Sequence, residues 1–116
     1  MRCLIVDDSA AFRNAASNML ERAGIAVVGM ATTAAEALTC AGELHPDVIL
    51  IDIDLGAESG FDVVEALHRS GPPNQSMILI STHSEQDFAD LIADSPALGF
   101  LPKFALSPES IRRMIG

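Results

Sequence analysis

Basic side chains are scarce in this chain of 116 residues, which has seven Lys and Arg against sixteen Asp and Glu and a formal charge of −9 at pH 7. An excess of negative charge repels a phosphate backbone. The composition therefore argues against direct binding of nucleic acid, and any effect on DNA would need a partner.

Cysteine is also scarce. Cys3 and Cys40 fall in a predicted strand and a predicted helix, without the spacing of a metal site. Buried, reduced thiols explain them better than a disulfide or a redox pair. We expect no functional contribution from cysteine chemistry.

Long apolar runs are absent, since none approaches the roughly 20 residues of a membrane-spanning helix. The Met1-Arg2 start passes directly into a predicted strand instead of a signal peptide. The chain shows no internal repeat, low-complexity tract or long linker, and residues 71–75 read as a polar surface turn. We expect one domain over residues 1–116, not associated with a membrane and located in the cytoplasm.

Short apolar segments alternate with helical patterns along the whole chain. Ser9 can cap the first helix and Gly24 can end it, whereas Thr33 and Glu36 have the spacing of a capping box for the second. The third and fourth helices are predicted at about 61–68 and 85–93, and the fifth begins at Pro108 after Ser107. The predicted strands are residues 3–6, 25–30, 48–51, 77–80 and 99–101. This alternation predicts an α/β domain with a parallel sheet covered on both faces.

Polar side chains stand at or just beyond the ends of four of these strands: Asp7 and Asp8, Asp52, Ser81 and Lys103. In an open parallel sheet, the carboxyl ends of neighbouring strands converge beside a topological switch point. Three carboxylates in one pocket repel each other unless a cation neutralises them. A hard divalent ion such as Mg²⁺ fits this set of oxygen ligands.

Asp52 is the candidate nucleophile, because carboxylates can form aspartyl phosphates. Lys103, the only lysine of the chain, and the metal would neutralise charge on the moving phosphoryl group. Ser81 can donate a hydrogen bond to it, and Asp54 could ligate the metal through its side chain or its backbone carbonyl. Taken singly, Ser81 could be an ordinary strand-end hydroxyl and Lys103 a solvated surface charge, but together the residues favour phosphoryl transfer.

The joint pattern resembles the receiver domains of bacterial two-component response regulators, over nearly the whole chain. The resemblance rests on residues 4–9, 46–55, 59–60, 78–81 and 99–103. It implies a flavodoxin-like (βα)5 fold, with five parallel strands in the order 2-1-3-4-5, that works as a phosphorylation-controlled switch. A histidine kinase or phosphotransfer protein would be the phosphoryl donor.

The resemblance also assigns roles to single residues. In this family Asp7 and Asp8 would bind Mg²⁺ and Asp52 would accept the phosphoryl group. Ser81 and Phe100 would form the switch, Lys103 would be the active-site lysine, and Asp54 and His83 would flank the phosphate and tune its lifetime. His83 could equally be a solvated loop residue.

Phosphorylation would draw Ser81 towards the phosphoryl group and let Phe100 turn inward, which would repack the face made by the fourth helix, fifth strand and fifth helix. An output domain, a partner protein or a second copy of the chain could bind there. Residues 99–103 and 106–109 resemble receivers of LuxR/NarL-type regulators, so both a stand-alone receiver and a piece of a longer regulator stay open. The chain departs from the family at Gly56 and Phe104, which replace prolines, the second of them usually cis.

Two other functions are compatible with parts of this pattern. The chain could be a degenerate receiver that acts only as a protein-interaction module, although all the functional positions are filled. Asp52-Ile53-Asp54 also resembles the first motif of haloacid-dehalogenase-type phosphatases, but that motif ordinarily opens a larger domain and too few residues follow it here.

Overall fold

The computed structural model describes residues 1–71 and 75–116, and most of the predicted turn at 71–75 lies outside them. In the described part, five strands form one parallel sheet. They are β1 (Arg2–Val6), β2 (Ala26–Ala31), β3 (Val48–Asp52), β4 (Ser76–Ser81) and β5 (Gly99–Pro102). Their spatial order is β2-β1-β3-β4-β5, which confirms the predicted doubly wound topology.

In the same described ranges, five α-helices follow the strands: α1 (Ala10–Arg22), α2 (Ala34–Leu44), α3 (Gly60–Ser70), α4 (Ala89–Asp94) and α5 (Pro108–Ile115). The predicted fourth helix was wrong in its first turn, because Glu85–Phe88 forms a 3₁₀ turn before α4 begins. Only Phe88 and Ile92 of this segment pack against the core, so tertiary contacts do little to extend the α-helix.

Side-chain caps fix where the helices start. Ser9 Oγ accepts a hydrogen bond from Phe12 N, and Thr33 Oγ accepts one from Glu36 N. The Glu36 carboxylate returns to the amide and hydroxyl of Thr32 rather than to Thr33 N, so the predicted capping box is displaced by one residue. The caps nonetheless lie where the sequence pattern places them.

The sheet separates two apolar clusters. β3 is buried at all five positions, because both of its faces are covered. One face packs against α2 and α3 through Leu4, Val6, Ala37, Ala41, Ile49, Ile51, Val64, Leu67 and Leu79. The other packs against α1 and α5 through Ile5, Ala16, Leu20, Leu50, Ile78, Ile80 and Ile111.

A short antiparallel hairpin, which the sequence did not predict, follows β3. Asp54–Leu55 pairs with Glu58–Ser59, and Gly56 has a φ of +74° in the turn. Two-residue strands are too short to show a period in the sequence. Within residues 1–71 and 75–116, no helix has the length and apolar character to cross a membrane.

Candidate functional site

Three carboxylates meet at the carboxyl edge of the sheet. Asp7 and Asp8 follow β1, and Asp52 is the last residue of the neighbouring β3. Each offers an oxygen atom, and these atoms lie within 4.8 Å of one another. Asp7 is fully buried and Asp52 is 6% exposed, whereas Asp8 reaches the surface. The structure thus brings together the three residues for which the sequence predicts a metal site.

Lys103 enters this cluster from the turn after β5. Its Nζ lies 2.7 Å from Asp7 Oδ2 and 3.2 Å from Asp52 Oδ2, and it donates a hydrogen bond to the latter. The ends of β1, β3 and β5, which are far apart in the chain, thus place one ammonium between two buried carboxylates. Burial lowers the pKa of Lys103, but its close contact with Asp7 and the charges of both carboxylates outweigh this effect and raise the pKa above its usual value.

The two oxygens of Asp7 have different surroundings. Oδ1 accepts a hydrogen bond from Ser9 N at 2.8 Å. Oδ2 touches Lys103 as an ion pair, yet among the described residues it accepts no hydrogen bond of good geometry. The 2.7 Å approach is therefore a charge contact, and a metal ion bound at this oxygen would share it with Lys103.

The backbone around Asp52 is held closely. Asp54 N donates to Asp52 Oδ1 at 3.2 Å, and Gly60 N donates to Ile53 O at 2.7 Å. A Cβ on Gly60 would lie 2.1 Å from Asp52 O, so α3 can begin this close to the strand only with glycine. Burial raises the pKa of Asp52 and the Asp7 charge adds to this, although the Asp54 amide and Lys103 act against it.

Ser81 and Phe100 lie on adjacent strands beside this cluster. Ser81 ends β4, is 1% exposed, and its Oγ accepts a hydrogen bond from His83 N at 3.0 Å. Phe100, opposite Leu79 in the strand register, is 6% exposed and packs in the core with Ile53. The aromatic ring is therefore inward in this structure, and its predicted inward movement on phosphorylation stays a prediction.

Asp54 and His83, the predicted tuning residues, are both exposed. Asp54 Oδ1 accepts a hydrogen bond from Gly56 N at 3.2 Å, and the His83 ring packs edge-on against Phe88, with centroids 6.0 Å apart. The described contacts hold these side chains beside their own loops and do not fix either of them towards Asp52.

Phe12 of α1 also belongs to the site, although the sequence pattern assigns it no role there. Lys103 Nζ lies 4.2 Å from the centroid of its ring. Only its position in the sequence could have indicated this role, because Phe12 lies about one helical turn after Asp8, on the helix that begins directly after the two aspartates.

Comparison with protein families identifies the family in which this arrangement of side chains occurs. The model of the response regulator receiver domain family matches residues 3–115. The chain belongs to this family. The predicted membership is thereby confirmed, and the receiver fold accounts for why acidic, hydroxyl and ammonium groups share one edge of the sheet.

Similar proteins agree with this membership. The receiver is 36% identical over 104 residues to a protein-glutamate methylesterase/protein-glutamine glutaminase of Idiomarina loihiensis, covering 89% of this chain and 27% of the relative. The solved receiver domain of the response regulator NarL from Mycobacterium tuberculosis superposes with a TM-score of 0.82 at 28% identity, covering 99% of this chain and 96% of the other. This neighbour confirms the predicted likeness to NarL-type receivers.

A response regulator protein from Burkholderia pseudomallei, solved with a phosphorylated aspartic acid, a calcium ion and citrate, has a TM-score of 0.85 and 27% identity, covering 99% of this chain and 66% of that one. The receiver spans between about a quarter and about a half of the length of the first curated relatives it matches.

Proposed function

We propose that this receiver accepts a phosphoryl group on Asp52 from a histidine kinase or phosphotransfer protein, in a Mg²⁺-dependent reaction. The observation that carries the proposal is the contact of one ammonium, Lys103 Nζ, with both Asp7 and Asp52. Phosphoryl transfer depends mainly on positioning and on neutralising charge, and this contact supplies both beside a buried carboxylate. The solved relative that contains a phosphorylated aspartic acid supports it.

In the proposed reaction, an Asp52 carboxylate oxygen attacks the phosphorus atom of a phosphohistidine. The new P–O bond forms as the P–N bond breaks, and the electron pair of that bond stays on the imidazole nitrogen. The imidazole leaves as the neutral base because its other nitrogen already carries a proton taken from water. Lys103 moves its hydrogen bond from Asp52 Oδ2 to a phosphoryl oxygen. The hydrogen bond from Asp54 N to Asp52 Oδ1 keeps the carboxylate oriented during the attack.

The residues present fit a magnesium ion. Asp7, Asp8 and Asp52 offer hard oxygen ligands close together, and within residues 1–71 and 75–116 the buried Asp7 Oδ2 has the charge of Lys103 beside it but accepts no hydrogen bond of good geometry. We assign these three residues as the ligands, with the backbone carbonyl of Asp54 as a further one. A bound Mg²⁺ would neutralise negative charge on the phosphoryl oxygens.

The proposed switch begins at Ser81. To reach a phosphoryl oxygen, its hydroxyl gives up the hydrogen bond from His83 N, which frees the loop that leads to α4. Phe100, two residues before Pro102 on the neighbouring strand, transmits the change to the face formed by α4, β5 and α5. An output domain, a partner protein or a second copy of the receiver would bind that face.

Asp54 and His83 would set how long the phosphoryl group survives, by acting on the attacking water. The chain itself would be a phosphoacceptor in the cytoplasm, not an enzyme acting on other molecules. Neither a haloacid-dehalogenase-type phosphatase nor a purely degenerate interaction module is favoured by the family match or the assembled site.

Intact-protein mass spectrometry after incubation with Mg²⁺ and acetyl phosphate tests the acceptor. We expect a phosphoryl adduct on the wild type and none on Asp52→Asn, because the substitution removes the nucleophile and keeps its shape. Asp54→Asn is the matched control and should still form the adduct. An adduct on Asp52→Asn would move the acceptor elsewhere, and a wild type that never forms one would favour the interaction module.

A further inference from the structure

The ammonium of Lys103 has an aromatic neighbour as well as two carboxylates. Its Nζ lies 4.2 Å from the centre of the Phe12 ring, and the Lys103 side chain is only 14% exposed. A cation above the face of an aromatic ring is attracted by the negative face of the ring, more strongly where water is excluded. The ring and the carboxylates therefore hold the same charge.

Phe12 is fixed relative to the carboxylates by short-range bonds. Ser9 N donates to Asp7 Oδ1, and Phe12 N donates to Ser9 Oγ, so Asp7 and Phe12 are joined through one capping residue. Arg13 Nη1 also donates to Asp7 O at 2.6 Å. The first turn of α1 thus presents a carboxylate and a ring to Lys103 as one unit.

The chain on the other side of Lys103 gives its side chain less support. Phe104 follows it directly and is 89% exposed, and the local hydrogen bond from Leu106 N to Lys103 O is long, at 3.3 Å. Lys103, Phe12 and Leu106 line one shallow groove between α1 and the segment before α5. Contacts made by the lysine side chain must therefore do much of the positioning.

We propose that Phe12 is a positioning residue for Lys103, holding the ammonium beside Asp52 through its ring face. A ring can hold a cation without cancelling its charge, whereas a third carboxylate would compete with the phosphoryl oxygens for it. The ring therefore keeps Lys103 in place and leaves it able to bind the incoming phosphoryl group. This inference rests on the proposed phosphorylation of Asp52.

A purely apolar role for Phe12 is the competing explanation, because the same ring also fills space beside Met19 and Leu106. The two roles respond differently to a substitution that changes the electrostatic potential of the ring but not its shape. Electron-withdrawing fluorine atoms reduce the negative electrostatic potential of the ring face but nearly preserve the size of the ring. They therefore weaken the contact with a cation and leave the packing nearly unchanged.

The first test needs no phosphoryl transfer. Lys103 is the only lysine, so ¹³C-lysine labelling gives one set of side-chain signals. Protons above an aromatic ring are shifted upfield, and we expect this shift for the Lys103 ε protons in the wild type and Met19→Leu but not in Phe12→Leu. Equal shifts in wild type and Phe12→Leu would show that the contact does not exist in solution, which overturns the inference whatever the activity.

The second test measures the rate of Asp52 phosphorylation by acetyl phosphate with saturating Mg²⁺, followed by mass spectrometry because the chain has no Trp or Tyr. We expect Phe12→Leu, and Phe12 replaced by a trifluorinated phenylalanine, to be roughly five-fold slower than wild type, as loss of a cation–π contact predicts. Phe12→Tyr and Met19→Leu should stay within about two-fold of wild type.

The outcomes separate the two proposals. If wild type forms an adduct that Asp52→Asn lacks, but the fluorinated and Leu variants react as fast as wild type, the ring has no positioning role and the proposed function stands. A rate lost in Phe12→Leu but kept with the fluorinated ring would assign Phe12 to packing and overturn the inference. If wild type forms no adduct, the proposed function fails, and the labelled-lysine signals still decide whether the contact exists.

Discussion

Two regions of the molecule are buried to different depths: β3 with the helices beside it, called here the deep half, and the segment of α4, called the shallow half. β3, which carries Asp52, is buried at all five positions, and α1 and α3 beside it are 13 and 11 residues long with several buried side chains. On the other side, α4 has six residues, all of them described, and buries none of them completely; it follows a 3₁₀ turn and exposes Leu91 at 54%.

The difference separates the two tasks of a receiver. A phosphoryl acceptor needs fixed geometry, and Asp52, the proposed acceptor, stands on a strand that is buried at all five positions. An element that changes position must come from the part of the molecule that opens at low free energy, with few buried contacts. The proposed output face contains α4, which has this character, and the Ser81 hydroxyl lies where the two halves meet.

The largest expected difference is between a leucine truncation in the deep half and one in the shallow half. Leu50→Ala on β3 should lower the free energy of unfolding by about 2 to 5 kcal/mol, because it leaves a cavity under a fully buried side chain. Leu91→Ala on α4 should change it by less than about 0.5 kcal/mol. Urea unfolding measures both, and comparable losses would end the contrast between a deep half and a shallow half.

Magnesium should stabilise the deep half through its carboxylates. Because bound cation relieves repulsion among Asp7, Asp8 and Asp52, Mg²⁺ at about 100 times its dissociation constant should raise the free energy of unfolding by about 2.7 kcal/mol. Asp8→Ala should show a much smaller rise in thermal melts. If both proteins melt with the same Mg²⁺ dependence, the ion binds somewhere else.

A smaller effect is expected from pH in the absence of Mg²⁺. Burial is the main cause that raises the pKa of Asp52 in the folded protein. The unfolded chain loses this proton near pH 4, the ordinary range of an Asp carboxyl, whereas the folded protein keeps it up to the raised pKa. Wild-type stability from this group therefore falls as pH rises through that window. Asp52→Asn should not lose stability in this way and should have a higher melting temperature than wild type near pH 7. The difference between the two melting temperatures should shrink towards pH 4. A gap that widens on acidification would reverse the assignment.

The smallest effect concerns the boundary between the two halves. Ser81→Ala removes the acceptor of the His83 amide, a hydrogen bond worth about 1 kcal/mol. Hydrogen exchange at the amides of 83–88 should become roughly five-fold faster, while exchange in β3 stays unchanged. Val28→Ala, on edge strand β2, serves as the control, and faster exchange spread over both halves would mean that the loop is coupled to the deep strands.

Local patterns in the sequence predicted the deep half well. Its strands are continuous apolar runs, and its helix starts carry their own caps at Ser9 and Thr33, so each signal is short-range and strong. The convergence of Asp7, Asp52 and Lys103 followed from topology, because parallel strands end at one edge. That part of the candidate site needed no knowledge of packing.

What the sequence did not predict depends on contacts between distant segments. The ring of Phe12 over Lys103 joins positions far apart in the chain, and nothing in helical spacing distinguishes it from a core contact. The 3₁₀ start at Glu85 reflects how little of this segment packs on the sheet, which propensity does not encode. The Glu36 carboxylate accepts a hydrogen bond from Thr32 N and not from Thr33 N, and the capping-box spacing does not distinguish between these two neighbouring amides.

The absence of a side chain at Gly60 also limits how this receiver could be engineered. Exchanging a helical glycine for alanine is a common way to stabilise a protein, worth up to about 1 kcal/mol. Here the added methyl group would meet the carbonyl oxygen of Asp52 at 2.1 Å, and a main-chain atom cannot rotate away as a flexible side chain can. Gly60→Ala would therefore destabilise the protein instead of stabilising it, because α3 or the main chain at Asp52 would have to move to make room for the methyl group.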